Sequence, residues 1–146
     1  MTNEPLGEIE IHFEDISEIE LSTYLKNWLK NSAEREGKEI GSINIILCDD
    51  TYLLKVNQDY LNHDTLTDII TFDYCVDNLL NSDIFISLER VKENSNYLSI
   101  KFIDEFERVC IHGILHLCGY KDKKAEEALI MRQKEDFYLN LRSQII

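Results

Sequence analysis

The amino-acid sequence predicts a single α/β (α+β) domain spanning residues 1–146, with a mixed four-stranded sheet, helices packed on it, and a metal site on a helix of the C-terminal half. Three observations carry that expectation. Short β-branched segments alternate with segments of helical spacing through the N-terminal half. The chain after residue 88 is helical in pattern. A length of 146 residues with 44% apolar content suffices for one core of ordinary size and makes a second improbable.

The elements follow in order. IEIHF (residues 9–13) alternates apolar and polar positions, the mark of a strand with one buried face. Residues 17–20 fit a capping box, after which Ile19, Tyr24, Leu25, Trp28 and Leu29 keep helical spacing until Gly37 offers a stop. GSINIILC (41–48) is apolar almost throughout, as an interior strand should be, and Asp49 and Asp50 can cap a short helix to about Tyr60. DIITFDYC (68–75) and DIFISL (83–88) read as a hairpin or close pair of strands joined by the polar VDNLLNS. A helix through Tyr97, a break near Ser99 and a strongly apolar helix from about residue 103 to 118 come next, ended by Gly119. A last, charged helix over about 124–141 presents Ala128, Met131, Phe137 and Tyr138 as its half-buried face.

Composition excludes several classes. There is no 18-residue apolar run to cross a bilayer, and MTNEPLGEIE lacks the basic and apolar regions of a signal peptide, so a cytoplasmic protein without a membrane role is expected. The cysteines Cys48, Cys75, Cys110 and Cys118 are far apart, without CxxC spacing and beside apolar segments, as reduced thiols acting as small hydrophobes would be. A formal charge of −13 repels polyanions at long range, so any nucleic-acid role must rest on a local basic patch or on another partner.

HGILHLCGYKD (112–122) carries the chemistry. His112 and His116, at i and i+4, place their imidazoles on one helical face, where they can grip one metal ion. Gly119 can end the helix in a left-handed turn and bring Asp122 back toward that face, giving three protein ligands and an open position. Asp122, followed by two lysines, is equally suited to cap the last helix, and the two roles are compatible. Imidazole and carboxylate in an open tetrahedral set suit one catalytic Zn2+, which lowers the pKa of bound water from about 15.7 toward about 7 and points to hydrolysis. The position after the first histidine, where an HExxH protease carries its general base, is Gly113, which disfavours peptide hydrolysis by that mechanism.

These residues extend into a wider likeness. The sequence resembles the YbeY family of bacterial endoribonucleases and rRNA maturation factors: HGILHLCGYKD matches the family's HGxLHLxGYDH through Tyr120, VNQDYLNHDTLTDIITF (56–72) its LNxxYRxKDxPTNVLSF, and SDIFIS (82–87) its GDIxIS. The likeness spans essentially the whole chain. It implies a zinc-dependent endoribonuclease specific for single strands, active in 16S rRNA 3′-end maturation and ribosome quality control. Its implied partners are rRNA and the small ribosomal subunit, with ribosomal proteins and an assembly GTPase. It implies metal ligands at His112 and His116 and at a third position, normally histidine, that Asp122 fills here; a carboxylate there removes positive charge and should make bound water less acidic.

Other departures bear on the substrate. The family's arginine after the tyrosine aligns with Leu61, which cannot pair with phosphate. Lys121 replaces the usual aspartate before the third ligand, and is either a phosphate contact or a solvated lysine in a charged loop. The segment NHDTLTD borders the family's metal cleft. His63, Asp64 and Asp68 are therefore candidates for substrate contact or proton transfer, or simply residues that turn the chain and cap a strand edge. His12, isolated on a strand, reads as a structural or surface residue. The leading functional expectation is a metal-dependent endoribonuclease. A ribosome-assembly factor with a structural metal is the alternative from another class, and a hydrolase of some other substrate is weaker because Gly113 removes the expected base.

Overall fold

The computed structural model describes residues 7–63 and 65–145. The order is β1 (Glu8–Phe13), α1 (Leu25–Arg35), β2 (Glu39–Cys48), α2 (Asp50–Leu61), β3 (Ile69–Asp73), β4 (Leu79–Ser87), α3 (Leu88–Leu98), α4 (Phe102–Leu117), α5 (Ala125–Asn140) and the short α6 (Arg142–Ile145). The strands lie in the order β1-β2-β4-β3, the first two pairings parallel and β3–β4 antiparallel, so the expected mixed four-stranded sheet is found.

Strand periodicity divides the core between the two faces of the sheet. Ile43, Ile45 and Leu47 of β2, with Ile84 and Ile86 of β4, join the main cluster with Trp28, Phe106, Ile114 and Met131. The opposite face is covered by α2, where Leu53 and Val56 pack with Ile70, and Tyr52, Phe72 and Phe85 close the edge. Beyond the reach of α2 that face turns polar: the exposed His12 bonds Asn44 (3.0 Å), whose amide donates to Asp83 (3.1 Å).

Helix α4 is central. Phe106, Val109, Cys110, Gly113, Ile114 and Leu117 are all buried along one stripe. A Cβ at Gly113 would stand 2.9 Å from the Ile69 side chain and 3.6 Å from Ile84, so the absence of a side chain lets the helix lie close to β3 and β4. His112 and His116 project from the flank of the helix beside α5.

Two boundaries and one buried face differ from expectation. Helix α1 begins at Leu25, and the capping box over 17–20 caps nothing. The intervening chain leaves the helical path because Asp15 takes a left-handed φ of 59°, Glu14 N–H donates to the Leu47 carbonyl (2.9 Å), and Ile16 and Leu21 pack on the core without a helix. Strand β4 starts at Leu79, taking in most of the polar VDNLLNS, because Leu80 and Ser82 continue the inward alternation of Ile84 and Ile86, and Asp77, at φ 54°, supplies the turn. On α5 the buried face is Met131, Glu135, Tyr138 and Leu139, whereas Phe137 is 49% exposed and Ala128 is also on the surface.

Candidate metal centre

The end of α4 builds the centre. Gly119 N–H donates to the His116 carbonyl (3.0 Å) and Tyr120 N–H to the Leu115 carbonyl (3.1 Å), the paired bonds of a Schellman ending, with Gly119 at φ 107°. No atom lies within 4 Å of a Cβ built on Gly119, so its backbone angle, not space, calls for glycine. The turn folds Tyr120 back so that its carbonyl accepts from His116 Nδ1 (2.9 Å), and Asp122 then meets both imidazoles. Asp122 Oδ2 lies 3.2 Å from His112 Nε2 and 3.3 Å from His116 Nε2, and one donor atom from each of the three side chains falls within 4.8 Å of the others. That group can hold a metal ion. The cap position of α5 falls to Lys124, whose N–H is taken by Glu127 (3.1 Å), which leaves Asp122 facing the histidines.

Each imidazole is oriented from behind. His112 Nδ1 donates to Glu135 Oε2 (2.6 Å) across from α5, and His116 Nδ1 to the Tyr120 carbonyl, so both Nε2 atoms face Asp122. The rings cross at 86° with centroids 4.5 Å apart. Glu135 is buried, and its other oxygen takes Arg108 Nη1 (2.9 Å), while Arg108 Nη2 reaches Asp136 (2.7 Å). Burial works to raise the Glu135 pKa, but the His112 and Arg108 hydrogen bonds outweigh it and hold the carboxyl below its ordinary range. For His112, burial disfavours the charged ring; the Glu135 hydrogen bond and charge prevail and hold its pKa above the ordinary value.

A cavity of about 370 Å³ opens beside the group, lined by His112, Asp122, Asp68, Glu105, Arg108 and Arg132 among others. Burial raises the Asp68 pKa, with His112 opposing; burial and the charge of Asp68 raise that of Glu105, whose Oε1 has no hydrogen-bond partner. Of the residues suggested from the sequence, Asp68 therefore shares the cavity with the metal group. His63 is exposed past the end of α2 and lines a separate hollow with Leu61, Thr65 and Thr67. Lys121 is exposed and is not among the residues lining the metal-side cavity; Asp64 lies outside the described residues.

Sequence reasoning missed Glu135, Arg108, Arg132 and Glu105. A signal existed for the first: Glu135 stands four residues after Met131 and three before Tyr138, so helical spacing places a glutamate on the buried face. A carboxylate there needs a partner, and His112 and Arg108 are its partners.

A family model described as Endoribonuclease YbeY matches residues 8–142. An Endoribonuclease YbeY of Flavobacterium psychrophilum is 50% identical over 133 residues, covering 91% of this chain and 95% of the relative. The corresponding protein of Flavobacterium johnsoniae is 54% identical over 110 residues, 75% of this chain and 79% of its own. Among solved structures, the solution structure of a Thermotoga maritima protein superposes with a TM-score of 0.66 at 25% identity, covering 92% of this chain and 89% of that one.

Proposed function

The chain belongs to the YbeY family of endoribonucleases, and from that premise we propose that it is a zinc-dependent, single-strand-specific endoribonuclease acting in 16S rRNA 3′-end maturation and ribosome quality control. Its setting is then the cytoplasm, and its partners are rRNA and the small ribosomal subunit with ribosomal proteins and an assembly GTPase. The observation that carries the reading is the convergence of His112, His116 and Asp122 with both Nδ1 atoms already committed elsewhere. Two imidazoles and one carboxylate suit zinc. Bound by His112 Nε2, His116 Nε2 and Asp122, zinc supplies Lewis acidity for phosphodiester hydrolysis.

The chain's own groups have defined tasks around it. Glu135 and the Tyr120 carbonyl hold the Nδ1 protons, which fixes the tautomer that ligates through Nε2. Asp68, whose pKa burial raises, lines the same cavity as His112 and Asp122 and is the carboxyl we assign to proton transfer. Gly113 faces Ile69 and the sheet, so no base comes from that position. A second reading, an assembly factor whose metal is structural, draws on the charge of −13 and on Leu61, an exposed leucine where the resemblance calls for arginine.

Cleavage of a single-stranded rRNA fragment by the zinc-loaded wild type, compared with His116→Ala, separates the two. We expect cleavage to fall by at least about 1,000-fold in the variant, the loss of roughly 4 kcal/mol of transition-state stabilisation. Equal cleavage by both proteins would exclude metal-centred catalysis, and a metal-bound wild type that cleaves nothing would favour the assembly role.

A further inference from the structure

The chain has to bring a polyanion to a site rich in carboxylates, and the arginine expected near residue 61 is absent. Two guanidinium groups line the cavity beside the metal group, and they differ in how far they are committed. Arg108 is 21% exposed and spends one nitrogen on Glu135 (2.9 Å) and another on Asp136 (2.7 Å). Arg132 is 58% exposed, and its closest carboxylate oxygen, Glu135 Oε1, is 3.8 Å away, too far for a hydrogen bond. That oxygen is already held by Arg108, and the other oxygen of Glu135 by His112. Among the described residues, Arg132 donates no hydrogen bond, so its planar fork of five N–H donors remains available on the same cavity that His112 and Asp122 line.

The rest of the lining says where an anion can stop. Asp68 and the buried Glu105 line the cavity as well, and neither carboxyl offers a phosphate a cationic contact. The exposed guanidinium of Arg132 is the cationic side chain within the lining that can meet it without breaking a hydrogen bond, its carboxylate contact being the 3.8 Å ion pair with Glu135. Arginine binds phosphate through two parallel N–H···O bonds, which fixes orientation as well as charge.

We propose that Arg132 is a substrate-binding residue that holds an RNA backbone phosphate at the mouth of the cavity beside His112 and Asp122. This rests on the ribonuclease reading, yet it is read out by binding and so can fail separately from it. The position belongs to α5, far in sequence from Leu61, so the cation is supplied by a different element. Lys121 remains a further cation near Asp122, but lacks the fork.

The test uses zinc-loaded full-length protein and a fluorescein-labelled single-stranded RNA dodecamer. Affinity is measured over a salt series for the wild type, Arg132→Ala and Arg132→Lys, and zinc content is measured for each. We expect Arg132→Ala to weaken binding about tenfold and to flatten the plot of log affinity against log salt by about 0.7, the contribution of one phosphate contact to a single strand. Zinc content should stay unchanged, and Arg132→Lys should keep the salt slope. An Arg132→Ala protein that binds with wild-type affinity and slope overturns the proposal, whether or not the wild type cleaves RNA. A reduced slope supports it, and if cleavage is then absent, the ribonuclease reading alone fails.

Discussion

Glu135 shows how much of a candidate metal site can lie in a residue that is not itself a candidate ligand. Its carboxylate joins His112 to Arg108 from inside the core, so it orients the ring and neutralises a guanidinium together. Glu135→Gln should lower zinc affinity about 10–100-fold, as loss of a ligand-orienting group does. The same change leaves imperfectly paired buried groups and should cost about 2 kcal/mol of stability. A chelator-competition titration and thermal unfolding check the two effects, and wild-type zinc affinity in the variant would contradict the role given to Glu135. The histidine pair was legible in the sequence because i, i+4 is a local relation, and Asp122 because Gly119 announces the turn that returns it. Glu135, 23 residues from His112 on another helix, was not, since only tertiary packing brings them together.

Among the elements, the junction of α1, α5 and the chain leaving α4 converges on Glu36. Its carboxylate accepts from Tyr120 Oη (2.7 Å), from Lys134 Nζ (3.2 Å) and from a short Tyr138 hydroxyl bond. Burial opposes the charged form, but these hydrogen bonds and the Lys134 charge hold the Glu36 pKa below its ordinary value. A carboxyl depressed in the folded state contributes stability that is fully present above the ordinary range, near pH 4.3, and is lost as pH falls through the folded value. We therefore expect the wild-type Tm to fall on acidification below about pH 4, and Glu36→Gln to show a weaker fall over that window. An identical acid dependence in both proteins would show that Glu36 is not coupled to folding. Boundaries were the least legible feature at this scale. The capping box at 17–20 is a sound local signal, overruled because Ile16 and Leu21 find the core without a helix. The asparagines of VDNLLNS conceal a strand because only Leu80 and Ser82 of that stretch face inward.

Taken as one molecule, the sheet and α4 form the floor, and the α4–α5 pair with the turn after α4 brings His112, His116, Asp122 and Glu135 together. Burial pushes the Cys48 and Cys118 thiols up to about 12 and Cys75 to about 11, so these side chains pack as hydrophobes, in keeping with their sequence spacing. No described helix is long and apolar enough to cross a membrane. The fold class was legible from alternation and periodicity, and the likeness to the Thermotoga maritima structure agrees with it. The cavity was not, because Glu105 and Arg108 come from α4, Arg132 from α5 and Asp68 from the loop before β3. The central claim is that His112, His116 and Asp122 hold one zinc ion per chain. Native mass spectrometry of the purified protein, beside a His112→Ala/His116→Ala double variant, tests it most directly. The account predicts one zinc per wild-type chain and none retained by the variant after brief dialysis against a chelator. A double variant that keeps a full equivalent of zinc under the same dialysis would contradict it.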